Sequence, residues 1–130
     1  WADLRQHFDA VVIAPGADDA ARSLAAGRWI PQEDPRTIAD GLLTSLGTHT
    51  WPILRDHLAG IVTVDDAAIS RAMRLVMEAM KLVIEPSAAV GVAAVLDPAF
   101  ARLAPAAERV GIVLCGGNVD LDRLPWSTQG

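Results

Sequence analysis

Cysteine is almost missing from this chain: Cys115 stands alone among 130 residues. One cysteine closes no internal disulfide, which argues against an oxidised, secreted scaffold. It is also too few for a structural zinc site, and His7, His49 and His57 show no zinc-ligand spacing. Positive charge is in deficit. Lys+Arg number 11 against 16 Asp+Glu, leaving a net charge of −5, and Lys81 is the one lysine. So acidic and lysine-poor a chain argues against a nucleic-acid partner, because the phosphate backbone selects for clustered cations. No apolar run approaches the roughly 18 residues of a bilayer span, and no basic-then-apolar leader is present. No membrane partner is expected, and a cytoplasmic location is. Neither a phosphate-cradling P-loop nor a Ser/His/Asp elbow appears.

What is abundant is apolar surface. Hydrophobic residues make up 52% of the chain, and mean hydropathy is +0.29 in a mass of 13.8 kDa. That is a folded chain with room for one compact domain. Its first residue is Trp1, and Leu4 and Phe8 form an amphipathic lead into Val11-Val12-Ile13. The opening therefore reads as the middle of something, and the chain is expected to be a piece of a longer protein.

Val11–Ile13 predicts a short buried strand ended by Ala14-Pro15-Gly16. Asp18-Asp19 before the alanine-rich run to Ala26 predict a helix start, with Gly27 as its stop. Strand followed by helix is the grammar of an α/β protein. Pro31 and Pro35 make Trp29–Arg36 a loop, Asp40-Gly41 suggests a turn, and Leu42–Gly47 has the makings of a further short element. Trp51–Leu58 predicts a helix with Pro52 near its first turn, and Ile61–Val64 a second strand. The strongest helix runs from Asp66 to about Val83. Ile69, Ala72, Met73, Val76, Met80 and Val83 form its inner stripe, Arg71, Arg74, Glu78 and Lys81 its outer one, and Thr63 or Asp65 its N-cap. After a break at Ile84–Ser87, a helix from Ser87 to Leu96 is apolar nearly all round and belongs inside a fold; Asp97-Pro98 closes it. Val110–Leu114 predicts a third strand, and a polar tail follows with one buried-looking aromatic, Trp126.

Three local features have chemistry to offer, and each has a plainer reading. Cys115-Gly116-Gly117-Asn118 follows a strand, where paired glycines let a ligand approach the backbone; the plain alternative is a tight turn with Cys115 as a small buried hydrophobe. Glu85 lies where a helix starts, as a site carboxylate or simply as a cap. Asp18-Asp19 offers oxygens to a hard cation, or merely favours a helix N-terminus. Lys81 falls on the solvated face of its helix, in reach of Glu78.

Taken together, "PRTIADGLLTSLGTHTWPI", "MEAMKLVIEPSAAVGVAAVL" and "RVGIVLCGGNVDLDRLPW" resemble the C-terminal part of the serine racemase and serine/threonine dehydratase family. These are pyridoxal-phosphate enzymes of the tryptophan-synthase-β fold. The resemblance runs from about Val11 to Trp126. It implies an α/β fold, parallel strands with packed helices, forming the later part of the cofactor-binding large domain. The N-terminal half of that domain and the small domain would lie outside residues 1–130.

Residue by residue, the resemblance places Cys115 as the partner of the cofactor's ring nitrogen. Gly116 and Gly117 are where the ring approaches, Glu85 is near the ring, and Gly41, with Asp40, is by its other face. It puts Thr44 on the substrate side, and Lys81 and Asn118 at an ATP effector. Asp19, the carbonyl of Ala17 and His49 fall at a metal site for Mg²⁺ or Mn²⁺. That site is weakened here, because Ala14-Pro15 stands where the family has Glu-Pro. A Cys or Ser without formal charge at the ring nitrogen suits β-elimination. The implied activity is therefore a serine/threonine ammonia-lyase acting on a small amino acid, with serine racemase or hydroxyaspartate dehydratase as alternatives. The implied assembly is a homodimer. The family's cofactor-bearing lysine has no match, since Lys81 fills a different position; the chain by itself is expected to be inactive. The opposing reading is a truncated, non-catalytic binding module with an exposed apolar patch.

Overall fold

The structure, a computed structural model, describes residues 12–13 and 18–127. The turn Ala14-Pro15-Gly16 and the metal candidate Ala17 lie outside the described residues, as do Val11 and everything before it. Two strands, β1 (Val12–Ile13) and β2 (Gly60–Ile61), pair in parallel, Val12 opposite Gly60 and Ile13 opposite Ile61. Parallel strands need a long crossover, and here it carries two helices, α1 (Asp18–Ala26) and α2 (Thr50–His57). Gly27 ends α1 with φ of +63°, as the glycine after a helix commonly does. In α2, Trp51 and Leu54 turn inward, and Pro52 falls in the first turn, where its missing N–H costs nothing.

Residues 42–47 form no regular element beyond the end of a single 3₁₀ turn at Asp40–Leu42. Their polar groups are spent on the neighbouring loop instead. Gln32 Nε2 donates to the Leu42 carbonyl at 3.3 Å, Trp29 Nε1 to the Leu46 carbonyl at 2.9 Å, and the Gln32 amide to Ser45 Oγ at 2.9 Å.

The core is built on two helices packed along each other, α3 (Asp66–Met80) and α4 (Pro86–Leu96). Asp65, not Thr63, caps α3: its Oδ1 accepts the Ala68 amide at 2.6 Å. Ile69, Ala72, Met73 and Val76 form the buried stripe. They meet Ala88, Ala89, Val90 and Ala93 of α4, with Ala39 and Ile84 at the margins. Burial of a side chain such as Ile69 contributes about 1.5–3 kcal/mol. The alanines of α4 let the two backbones come close.

The predicted stripe ends early. Met80 is 57% exposed and Val83 51%, because the helix stops at Met80 and Lys81 takes a left-handed φ of 60°. That turn sends Val83 out of helical register. Lys81 Nζ donates to the Glu78 main-chain carbonyl at 2.6 Å, so its contact is with the helix end rather than with the Glu78 carboxylate. The carboxylate pairs with Arg74 at 2.7 Å, an exposed i,i+4 bridge of the kind that adds a few tenths of a kcal/mol, roughly 0.3–0.5.

Asp97-Pro98 closes α4 but also opens a further helix, α5 (Pro98–Leu103), whose first turn is held by the Ala99 amide donating to Asp97 Oδ1 at 2.7 Å. The same order, a carboxylate followed by proline, begins α4 at Glu85-Pro86, although the Glu85 side chain does not cap its helix. Leu103 at the end of α5 fills the space where Gly60 of β2 has no side chain.

The second and third expected strands are corrected by the structure. Of the second, Ile61–Val64, only Ile61 pairs, together with Gly60 before it, and Val110–Leu114 forms no strand among the described residues. β-Branched composition favours a ladder but cannot supply one, and β1 and β2 are two residues each. Val113 is 82% exposed, while Ile112 lies against Gly91 of α4 and Leu114 packs on the core. From there residues 114–126 run over the α3–α4 pair, and Val119, Leu124 and Trp126 seal its side.

Candidate functional site

Three stretches far apart in sequence meet at the N-terminus of α4. The first is the helix start itself. Glu85 sits at the N-cap with extended backbone, φ −84° and ψ 163°, and Pro86 follows as the first helical residue. A carboxylate at this position usually turns onto its own helix, but Glu85 makes no such bond. Its Oε2 accepts the Asn118 amide at 3.0 Å, and its own amide donates to the Gly116 carbonyl at 3.2 Å. The plain capping reading is thus replaced: Glu85 occupies the cap and holds the 116–118 loop.

That loop is the second stretch. Gly116 has a φ of +108°, which L side chains rarely adopt, and a Cβ built there overlaps the Glu85 carboxyl group. A Cβ on Gly117 would stand 3.1 Å from the Val83 carbonyl. The protein itself therefore fills the side-chain directions of both glycines. Their absence of side chains serves loop packing as well as any approach by a ligand. Cys115 is exposed and free, so it is not the buried hydrophobe of the plain reading. With Leu114 held inward and Gly116 pinned to Glu85, the thiol faces outward at the head of the loop.

The third stretch is the Asp40–Gly41 turn. The Gly41 amide donates to Ser87 Oγ at 3.0 Å and to Asp40 Oδ1 at 2.8 Å, and Ser87 Oγ in turn donates to Asp40 Oδ1 at 3.3 Å. On its other side the same segment is fixed to the start of α3. Thr37 Oγ1 and the Ile38 amide donate to Asp66 Oδ1 at 2.6 and 3.1 Å. Ser87 and Asp66 are bracing residues that the sequence reading missed. Each lies in the first turn of a helix, but the residues they hold are 28 to 47 positions away, and no local pattern reports that.

Other candidates stay apart from this cluster. Thr44 is exposed on the loop after the 3₁₀ turn. Lys81 is exposed at the end of α3 and bonded to Glu78, while Asn118 engages Glu85 through its amide. Asp19 is 2% exposed and its Oδ2 has no hydrogen-bond partner, whereas His49 is exposed at the start of α2. No group of three or more His, Cys, Asp or Glu side chains suited to a metal ion forms among the described residues. Asp19 is buried and His49 exposed, and the third metal candidate, Ala17, lies outside the described residues.

The cluster does fit one edge of a pyridoxal-phosphate ring. It offers an outward thiol at the head of a glycine turn, a carboxylate beside it and a second glycine turn on the same helix end. A lysine is not among these residues.

Residues 2–116 match the family described as pyridoxal-phosphate dependent enzyme. Rat (Rattus norvegicus) serine racemase is 47% identical over 114 residues, which are 87% of this chain and 34% of that protein. The beta-hydroxyaspartate dehydratase of Paracoccus denitrificans is 46% identical, over 85% of this chain and 34% of its own length. Among solved structures, maize serine racemase superposes with a TM-score of 0.78 at 45% identity, covering 86% of this chain and 34% of that one. The chain thus spans about a third of the length of the relatives it matches. It belongs to the pyridoxal-phosphate dependent enzyme family.

Proposed function

We propose that the protein carrying this chain is a serine racemase-like enzyme that acts at the α-carbon of a small hydroxy amino acid, with dehydration of the same substrate class as its second activity. The order of the two reverses the expectation from sequence, which put the ammonia-lyase first. Identity of 47% to rat serine racemase and 48% to the human enzyme supports the change. The dehydratase reading keeps its own support in the Paracoccus relative and in a solved threonine deaminase, 43% identical with a TM-score of 0.68. The observation that carries the proposal is the meeting of Cys115–Asn118, Glu85 and Asp40-Gly41 at one helix end.

Pyridoxal phosphate, when bound, supplies an electron sink for a carbanion at the α-carbon. This chain's residues would hold and orient it. Cys115 would meet the ring nitrogen, the Gly116–Gly117 turn would carry the thiol, Glu85 would keep that turn in place, and Asp40-Gly41 would flank the other side. Thr44 is proposed on the substrate side, Lys81 and Asn118 at a nucleotide effector, and a homodimer as the assembly.

The test is product analysis of the whole protein with pyridoxal phosphate and L-serine. Formation of D-serine is expected, with pyruvate and ammonia as minor products. Pyruvate without D-serine would transfer the reading to the lyase, and neither product would sink it. Residues 1–130 alone, assayed in parallel, should turn over nothing, because Lys81 has its Nζ on the Glu78 carbonyl, at the far end of α3 from its cap.

Divalent metal is expected to matter little. A ligand specific for the native state at 100 Kd would contribute about 2.7 kcal/mol, and the melting point of the whole protein in millimolar-scale MgCl₂ or MnCl₂ should rise by much less than that implies. A rise of many degrees with Mg²⁺, abolished by Asp19→Ala, would show that the buried Asp19 carboxylate does anchor a cation; a rise with Mn²⁺ alone, abolished by His49→Ala, would point to a rearranged site.

A further inference from the structure

The first turn of α4 grips two loops at once. Glu85 takes the 116–118 loop, and Ser87, two residues on, takes the Asp40–Gly41 turn. Nothing in the composition of α4 requires a hydroxyl at position 87: the helix is otherwise alanine, valine, glycine and leucine after Pro86. The one polar side chain within it is spent on two residues 46 and 47 positions away, as an acceptor for the Gly41 amide and a donor to Asp40 Oδ1. The contact is close on both sides. A Cβ on Gly41 would stand 2.9 Å from Ser87 Oγ and 3.3 Å from Ser87 Cβ, so the turn rests directly on the serine.

We infer that Ser87 is a positioning residue for the cofactor: it fixes the distance between the Asp40–Gly41 turn and the Cys115 loop by tying the turn to the helix end that Glu85 ties to the loop. The inference rests on the proposed placement of Cys115 and Gly41 on either side of the ring. It adds that the spacing of the two is set by the α4 N-terminus. Asp66 fixes the near end of the 37–41 segment to α3, so loss of Ser87 frees only the far end, where Gly41 lies.

The experiment compares the whole protein, as holoenzyme, with its Ser87→Ala and Ser87→Thr variants. Three readouts are needed: equilibrium binding of pyridoxal phosphate followed by fluorescence, circular dichroism of the bound cofactor, and amide hydrogen exchange at Gly41. In Ser87→Ala the dissociation constant should rise roughly 3- to 10-fold, the scale of one net hydrogen bond. The cofactor dichroism should change and Gly41 should exchange faster. Ser87→Thr keeps the hydroxyl and should restore all three.

A purely structural serine would lower the melting point and leave cofactor affinity and dichroism untouched, which would overturn the inference while leaving the proposed function standing. Wild-type protein that binds no pyridoxal phosphate would overturn both. If Ser87→Ala does not fold, Ser87→Cys, close in volume with a weaker acceptor, takes its place under the same criteria.

Discussion

Gly116→Ala should cost about 3 kcal/mol of stability and loosen the whole cysteine loop. Two independent effects add. The backbone at position 116 has a φ of +108°, where a residue with a Cβ is strained by about 1–3 kcal/mol. The new methyl also overlaps the Glu85 carboxyl group. A carboxylate is the far end of a flexible side chain, so the overlap itself is relieved by a rotation of Glu85. That rotation takes Oε2 away from the Asn118 amide, which it accepts at 3.0 Å, and a hydrogen bond to a charged acceptor is worth about 1.5–3 kcal/mol, less where exposed. Denaturant melts of the whole protein measure the sum. The double variant Gly116→Ala/Glu85→Ala separates the parts: with the carboxyl removed the overlap is gone, and only backbone strain should distinguish it from Glu85→Ala. If Gly116→Ala melts within about 0.5 kcal/mol of wild type, the range of neutral surface substitutions, the turn is not held as described.

This loop also shows where sequence was informative and where it was not. Its glycines were conspicuous as a pair, yet the reason for them lies 31 or more residues upstream, at Val83 and Glu85. A one-dimensional reading leaves a tight turn and the approach of a ligand both open, and the structure shows that the protein's own chain fills the side-chain directions of both glycines. The α3 stripe was legible because a helix sets its own periodicity: Ile69, Ala72, Met73 and Val76 are buried as their spacing requires. It failed at Met80 and Val83, where Lys81 takes up a left-handed conformation that no spacing rule anticipates. The apolar helix was legible for a different reason, since a segment without a polar face has nowhere to go but inward. Val110–Leu114 shows the limit of the same logic for strands. A helix carries its hydrogen-bond partners within itself, whereas a strand depends on a neighbour, and among the described residues none pairs with it. The family was legible before any of this, because the order of whole blocks constrains more than any one element does.

Cys115→Asp should lower turnover of the whole protein at least about ten-fold, equivalent to about 1.4 kcal/mol on the barrier, while the protein stays folded. Folding is spared because the thiol is exposed, and substitutions of exposed side chains are usually worth within about ±0.5 kcal/mol. Function is not spared because of charge. In the proposed placement, position 115 faces the ring nitrogen of pyridoxal phosphate, and a carboxylate there favours a proton on that nitrogen where a thiol does not. The absorbance and dichroism of the bound cofactor should shift with the turnover. Cys115→Ser, which changes the atom but introduces no carboxylate, should retain both activity and spectrum. Turnover and spectrum that are both unchanged in Cys115→Asp would mean that the thiol does not meet the cofactor, and the proposed orientation of the ring at this helix end would have to be given up.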